Sequence, residues 1–193
     1  MALALRVIPR LDIKGPNLVK GVNLEGLRVL GKPWEFAKAY YEDGIDELLY
    51  VDSVASLYGR NSLVDLIKLT AENIFIPLTV AGGIRTIEDI TKILRAGADK
   101  VAINSAAIKN PSFIKEAVKK FGSSTVVVSI EAQKDLKGNY KCYIENGRQA
   151  TDLDPIKWAI EVEKLGAGEI LLTAVHKEGT GTGFDNALLK NLN

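Results

Sequence analysis

Short apolar, β-rich runs alternate with amphipathic helical stretches along the chain, and this alternation limits the possible fold more than any other feature. The β-rich runs are Leu5–Asp12, Glu47–Ser53, Ile76–Gly83, Lys100–Asn104, Thr125–Glu131 and Glu169–Ala174. The helical stretches fall near 33–43, 61–73, 86–97, 110–121 and 155–165, and another begins near 184. Helix-start signals stand at Pro33, Asn61, Thr86, Asn110 and Asp154. Strands that are apolar on both faces and joined by helices imply a parallel sheet, so we predict an α/β fold of six β-then-α units.

Two longer segments interrupt this alternation, and each follows a predicted strand. Residues 13–32 carry several Gly and Lys residues and are expected to form a long loop. Residues 134–150 predict a hairpin with turns at Lys137-Gly138 and Asn146-Gly147. Segments that follow the strands of a parallel sheet commonly carry function, so both are candidate parts of a site.

A faint internal repeat relates the first two units to the last two. A carboxylate ends the first strand and the fifth, and similar Gly-rich segments precede the second and sixth, roughly 120 residues apart. This repeat favours a (β/α)₈ TIM barrel made of two half-barrels, the first over about 1–122 and the second beginning at about 123. A closed barrel takes about 250 residues. We therefore expect the 193 residues to be a single truncated barrel domain with about six of eight units.

The composition excludes several function classes. The 25 Lys and Arg residues nearly balance 24 Asp and Glu residues, which predicts no general affinity for nucleic acid. No apolar run is long enough to span a membrane, and we expect a cytoplasmic protein. The single Cys142 and the single His176 favour packing and loop roles, respectively, and argue against a metal site. We predict no cofactor and no metal, with chemistry carried by carboxylates, Lys, hydroxyls and backbone amides.

Three carboxylates stand at the carboxyl ends of predicted strands: Asp12, Asp52 and Glu131. Two carboxylates in a partly dry site can differ in pKa and serve as acid and base. The alternative is that each caps a helix or pairs with a nearby Lys or Arg.

Glycine-rich or polar turns also follow the strands, at residues 81–83, 104–105 and 178–183. Glycine lets backbone N–H groups approach a phosphate closely, so these turns predict a phosphorylated substrate. Simple loop flexibility is the other interpretation.

Charged residues of both signs lie near the opposite ends of four strands: Arg6, Glu47, Lys100 and Glu169. They could form an ionic ring across the mouth of a barrel, or they could be solvated charges.

Several long segments identify a family that the sequence resembles, the cyclase subunits of imidazole glycerol phosphate synthase. They are RLDIKGPNLVKG, GIDELLYVD, IPLTVAGGI, GADKVAIN, FGSSTVVVSIEA and GAGEILLTAVHKEGTGTGFD. The resemblance implies a (β/α)₈ barrel that receives ammonia from a glutaminase partner at its N-terminal face. At the C-terminal face, the ammonia would attack a two-phosphate ribulosyl aminoimidazole carboxamide. The products would be imidazole glycerol phosphate and an aminoimidazole carboxamide ribotide.

The resemblance also assigns expected roles to single residues. It implies Asp12 and Glu131 as the catalytic pair and Lys20 and Asp52 as substrate contacts. One phosphate site would include Gly83, Asn104 and Ser105. Gly179 and Thr180 would form half of the other phosphate site. The ammonia entrance would be the ring of Arg6, Glu47, Lys100 and Glu169.

Three positions depart from the family pattern. Glu131 replaces an Asp, Glu178 replaces an Asp, and Arg10 stands where the family has a small or neutral residue. We hypothesise that Arg10 pairs with Glu131. These departures, with the SLYGRN segment at 56–61, resemble a divergent branch. That branch would channel ammonia for sugar amidination in bacterial surface-polysaccharide synthesis, with weak or no cyclase activity.

Overall fold

The computed structural model describes residues 5–55 and 63–190, which form an α/β fold with parallel strand pairs in its central sheet. The strands are β1 Arg10–Lys14, β2 Asn17–Val22, β3 Glu25–Gly31, β4 Leu48–Asp52, β5 Leu78–Ala81, β6 Lys100–Ile103, β7 Val126–Lys134, β8 Tyr140–Ile144, β9 Gln149–Ala150 and β10 Glu169–Ala174. The helices are α1 Pro33–Glu42, α2 Val64–Asn73, α3 Ile87–Arg95, α4 Ser105–Lys109, α5 Ser112–Phe121, α6 Pro155–Lys164 and α7 Asn186–Lys190. The predicted fold class is confirmed, and closure into a barrel stays a prediction.

The chain divides into two compact units. The first comprises Met1–Val19 and Val29–Val101, and the second comprises Lys20–Arg28 and Ala102–Asn193. In the first unit, β1 pairs in parallel with β4, and β4 pairs in parallel with β5. All of β4 except Val51 is buried, as expected for a strand that is covered on both faces.

The second unit is organised around β7, whose first seven residues are all buried. β10 pairs with β7 in parallel from Glu169↔Val127 to Ala174↔Ala132. The end of β7 pairs antiparallel with β8, and β8 pairs with β9, so the hairpin predicted over 134–150 is confirmed.

Two of the predicted helix starts are confirmed by local hydrogen bonds. Before α3, the Thr86 hydroxyl accepts the N–H of Asp89 at 3.1 Å, and the Asp89 carboxylate accepts the N–H of Thr86 at 3.0 Å. Before α6, Asp154 Oδ1 accepts the N–H groups of Ile156 and Lys157 at 3.0 and 2.9 Å. The predicted start at Asn61 lies outside the described residues, as does the segment 56–61.

Two element predictions were wrong, and one short helix was not predicted. The expected loop over 13–32 contains β2 and β3, because β2 finds hydrogen-bond partners on β1. The first strand begins at Arg10 instead of Leu5, since Pro9 has no N–H to give to a strand ladder. The helix expected over 110–121 is present as α5, and the separate short helix α4 before it was not predicted. The break falls at Asn110, which stands before Pro111 and has a non-helical backbone, because the proline ring disfavours the helical conformation for the residue before it.

Candidate active site

Asp12 lies in β1 and is buried, with 4% of its surface exposed. Its backbone stands opposite Val51 of β4. Arg10 Nε donates to Asp12 Oδ1 at 2.7 Å, because side chains two residues apart on a strand share a face. Arg10 and Asp12 therefore lie on the same face of β1. The ion pair fixes the direction of the Asp12 carboxylate, while the pairing of Arg10 with Glu131 stays a hypothesis.

Asp52 ends β4 and is also buried. Its backbone stands opposite Ile13, the residue after Asp12. Because successive side chains on a strand point to opposite faces, the side chains of Asp12 and Asp52 lie on opposite faces of the sheet. Asp52 Oδ1 accepts the N–H groups of Val54 and Ala55 at 3.1 and 2.9 Å. This side chain therefore stabilises the turn after β4. Its role as a substrate contact stays a prediction.

The candidate residues for the first phosphate site fall in two places. Gly83 follows β5 in the first unit with φ +71°. Asn104 and Ser105 follow β6 in the second unit and contact the β8–β9 hairpin. Asn104 Nδ2 donates to the carbonyl of Tyr143 at 3.2 Å, and Ser105 Oγ accepts the N–H of Glu145 at 3.1 Å. Asn104 Oδ1 is buried and has no hydrogen-bond partner among the described residues.

Glu131 lies in β7 and is 8% exposed. It stands between Thr173 of the parallel β10 and Tyr143 of the antiparallel β8. Its Oε2 accepts the N–H of Gly147 at 2.8 Å. The candidate catalytic carboxylate is thus bound by the turn between β8 and β9.

Lys20 and the turn after β10 are in direct contact in the second unit. Lys20 Nζ forms an ion pair with Glu178 Oε1, and the carbonyl of Glu178 accepts the N–H of Asn23 at 2.7 Å. Gly179 lies so close that a Cβ there would come within 2.0 Å of the carbonyl oxygen of Gly21. Any larger residue at 179 would therefore separate the β2–β3 turn from the candidate phosphate turn.

The remaining candidate of that phosphate turn, Thr180, is held by its own loop. Its hydroxyl donates to the carbonyl of Lys177 at 2.8 Å and lies 2.8 Å from the Thr182 hydroxyl. These contacts fix the loop conformation, and phosphate binding by Gly179 and Thr180 stays a prediction.

Three of the four predicted ring residues form one ionic cluster in the first unit. Glu47 is 5% exposed, although its position at the start of a strand could equally have left it solvated. Arg6 pairs with Glu47 Oε1, and Lys100 Nζ lies 3.3 and 3.1 Å from the two carboxylate oxygens. Glu169 is the first residue of β10, in the second unit, and its membership of the ring stays a prediction.

Sequence reasoning missed a polar cluster of Tyr140, His176 and Asp185. Asp185 Oδ2 accepts the Tyr140 hydroxyl at 2.6 Å and lies 3.0 Å from His176 Nε2. Burial, aided by the bond and charge of Asp185, raises the pKa of Tyr140 to about 12. Burial acts to raise the pKa of Asp185. The pKa is nevertheless lowered, and the hydrogen bond from Tyr140 is the largest of the effects that lower it. No local sequence signal links residues this far apart, so the sequence predicted only a loop role for His176 and not these contacts.

Cys142 is fully buried, and its pKa is raised to about 12 by burial and by the charge of Asp154, so it packs as expected. Within residues 5–55 and 63–190, no group of three or more His, Cys, Asp and Glu side chains could hold a metal ion. No helix in the described part of the chain has the length and apolar character that a membrane crossing requires.

Buried carboxylates and polar turns at the carboxyl ends of parallel strands are typical of α/β enzymes that bind small molecules. Comparison with known proteins then identifies the family: the chain belongs to the histidine biosynthesis proteins, which match residues 6–193. The imidazole glycerol phosphate synthase subunit HisF of Legionella pneumophila is 57% identical over 188 residues, covering 97% of this chain and 89% of that protein.

Two further relatives carry the same name. The HisF subunit of Bacillus cereus (strain G9842) is 48% identical over 190 residues, which are 98% of this chain and 75% of the relative. The HisF subunit of Hydrogenobaculum sp. (strain Y04AAS1) is 51% identical over 183 residues, which are 95% of this chain and 73% of the relative. These names give no support to the alternative role in polysaccharide synthesis.

Proposed function

We propose that this chain is the cyclase subunit of an imidazole glycerol phosphate synthase, a carbon–nitrogen lyase of histidine biosynthesis. The observation that carries the proposal is the 57% identity over 97% of the chain to a protein named as that subunit. The buried carboxylates of Asp12 in β1 and Glu131 in β7 are consistent with proton-transfer chemistry.

In this proposal, ammonia attacks the ribulosyl substrate, and Asp12 and Glu131 serve as acid and base during cleavage and ring closure. Lys20 would bind substrate, and it is held ready by Glu178 in the same unit. A phosphate that reaches this turn would compete with the Glu178 carboxylate for the Lys20 ammonium. Binding of the charged substrate would therefore replace one ion pair by another instead of leaving a cation unpaired.

A glutaminase subunit would supply the ammonia, since the relatives are named as one subunit of a synthase. We propose that it docks at the N-terminal face, near the cluster of Arg6, Glu47 and Lys100. A charged cluster at an entrance can orient a polar ligand and its partner surface. A biosynthetic enzyme of this kind would work in the cytoplasm.

Steady-state turnover of the ribulosyl substrate with ammonium salt tests the proposal. The unmodified protein should form imidazole glycerol phosphate. Asp12→Asn and Glu131→Gln should each lower kcat by about 10²- to 10⁴-fold, the usual contribution of a general acid or base. Glu116→Gln, which changes an exposed carboxylate on α5, is the matched control and should keep full turnover. Absence of product above background from the unmodified protein would sink the proposal and reopen the ammonia-channelling alternative.

A further inference from the structure

The turn between β8 and β9 contacts Glu131 through a backbone amide. The N–H of Gly147 donates to Glu131 Oε2 at 2.8 Å, and the carboxylate is almost wholly buried. A hydrogen bond from an N–H to an ionised carboxylate is stronger than one between neutral groups, and it favours the charged form. The amide therefore holds the carboxylate in place.

The turn has an unusual backbone that directs this N–H. Glu145, Asn146 and Gly147 all have positive φ, at +55°, +59° and +76°. Such values cost free energy for residues other than glycine, so they persist only where surrounding contacts hold them. Two contacts to Glu145 do so: its N–H donates to Ser105 Oγ at 3.1 Å, and its carboxylate lies 2.7 Å from Lys109 Nζ.

Space at Gly147 is restricted as well. A Cβ there would lie 3.2 Å from Leu24 Cδ1 and 3.2 Å from Val175 Cγ1. Both the conformation and the space therefore require glycine, and a side chain would push the turn away from Glu131. The length of Glu131 fits this arrangement. The carboxylate of an Asp would be about 1.5 Å, or one carbon–carbon bond, further from the turn.

We propose that Gly147 is a positioning residue for the cyclisation, and that its N–H holds the Glu131 carboxylate in its reactive place. The inference rests on the proposed function, in which Glu131 transfers a proton. The turn also joins Glu131 to Ser105, a candidate phosphate contact, through Glu145. The position of the carboxylate is thus coupled to the place where a substrate phosphate would bind.

Two glycine variants of the same hairpin test this inference. Gly147→Ala should displace the N–H from Glu131. Gly138→Ala is the matched control, because Gly138 also has a positive φ, +83°, but a Cβ there would meet nothing within 4 Å. Both variants introduce comparable backbone strain at the two turns of one hairpin. Only the first should alter Glu131.

The first measurement is the pKa of Glu131, obtained from a pH titration by carbon-13 NMR of glutamate-labelled protein. The Glu131→Gln variant identifies the signal of Glu131. Loss of the N–H donor should raise the pKa in Gly147→Ala and leave it unchanged in Gly138→Ala. The second measurement is turnover with ammonium salt. Misplacement of a catalytic group should lower kcat by about 10- to 100-fold in Gly147→Ala, with little change in KM.

An unchanged Glu131 pKa in Gly147→Ala would overturn the inference, whatever the turnover. If Gly147→Ala fails to fold, Gly147→Asn takes its place. Asparagine tolerates the left-handed region, so the backbone strain is smaller. Its Cβ would still meet Leu24 and Val175, so a rise in pKa is still expected, and no rise would also overturn the inference. The unmodified protein separates the two proposals: if it shows no turnover, the proposed function fails, while the NMR titration still decides whether Gly147 holds Glu131.

Discussion

Glu47→Gln is the most informative change outside the candidate catalytic residues. Glu47 is 5% exposed and binds two cations, Arg6 and Lys100. The amide of Gln keeps the shape of the side chain but removes its charge. Lys100, whose side chain is only 13% exposed, then lies beside a neutral group in a largely buried setting.

The expected cost follows from the burial of each partner. Removing one member of a buried ion pair destabilises a protein by about 3–5 kcal/mol. Arg6 is 44% exposed and can turn towards water, so its part of that cost is discounted. The remaining amide oxygen can still accept one hydrogen bond. We therefore expect a loss of about 2 kcal/mol, or about 4–8 °C in Tm for a chain of this size.

Urea denaturation followed by circular dichroism measures the loss. Glu42→Gln is the control, since Lys38 and Glu42 are both mostly exposed and 3.7 Å apart on α1. It should cost less than about 0.5 kcal/mol. The Glu47→Gln difference should persist at high salt, because a buried pair is screened less than an exposed one.

The functional assay uses the same variant. Turnover with ammonium salt should be retained, because Glu47 is not among the proposed proton-transfer groups. Turnover with glutamine and a glutaminase subunit should fall if the cluster lies at the ammonia entrance. Equal stability of Glu47→Gln and Glu42→Gln would refute the energetic reasoning. Equal loss of both kinds of turnover would refute the assignment to the entrance.

Three other changes test single contacts. Thr70→Val leaves the buried Tyr50 hydroxyl without its 2.8 Å partner and should cost about 1–3 kcal/mol in urea denaturation. Because burial raises the pKa of Tyr50 to about 12, the unmodified protein should lose stability as the pH rises from 10 towards 12. Asp154→Ala removes two hydrogen bonds at the start of α6 and should lower stability by about 1 kcal/mol, most of which Asp154→Asn should restore. Tyr140→Phe should raise the pKa of Asp185. The loss of stability caused by this substitution should therefore be largest at neutral pH and shrink as the pH falls below 4, which urea denaturation at several pH values measures.

Features that depend on neighbours in sequence could be predicted from the residues alone. Thr86 and Asp154 cap their helices through N–H groups two or three residues away, so the local pattern was enough. The hairpin between β7 and β9 was predicted because its turn residues favour positive φ. The candidate residues Asp12, Asp52 and Glu131 were found because each ends an apolar run.

Features that depend on strand pairing could not be predicted in this way. The β2 strand looked like a loop because the partner that satisfies its backbone is supplied by β1. Asp12 and Asp52 looked equivalent in sequence, and only the register between β1 and β4 put them on opposite faces. Register arises from packing between strands, which a single segment does not encode.

The sequence by itself determined the α/β class, the alternation of its main strands and helices, and the list of chemically capable residues, because periodicity and capping act over a few residues. The tertiary structure decided which of those residues meet. It joined Glu47 to Arg6 and Lys100, Lys20 to Glu178, and His176 to Asp185. It also placed the Gly147 amide on Glu131. Contacts of this kind form only when strands and turns that are distant in sequence pack together, so the surroundings of each charge are a property of the folded chain.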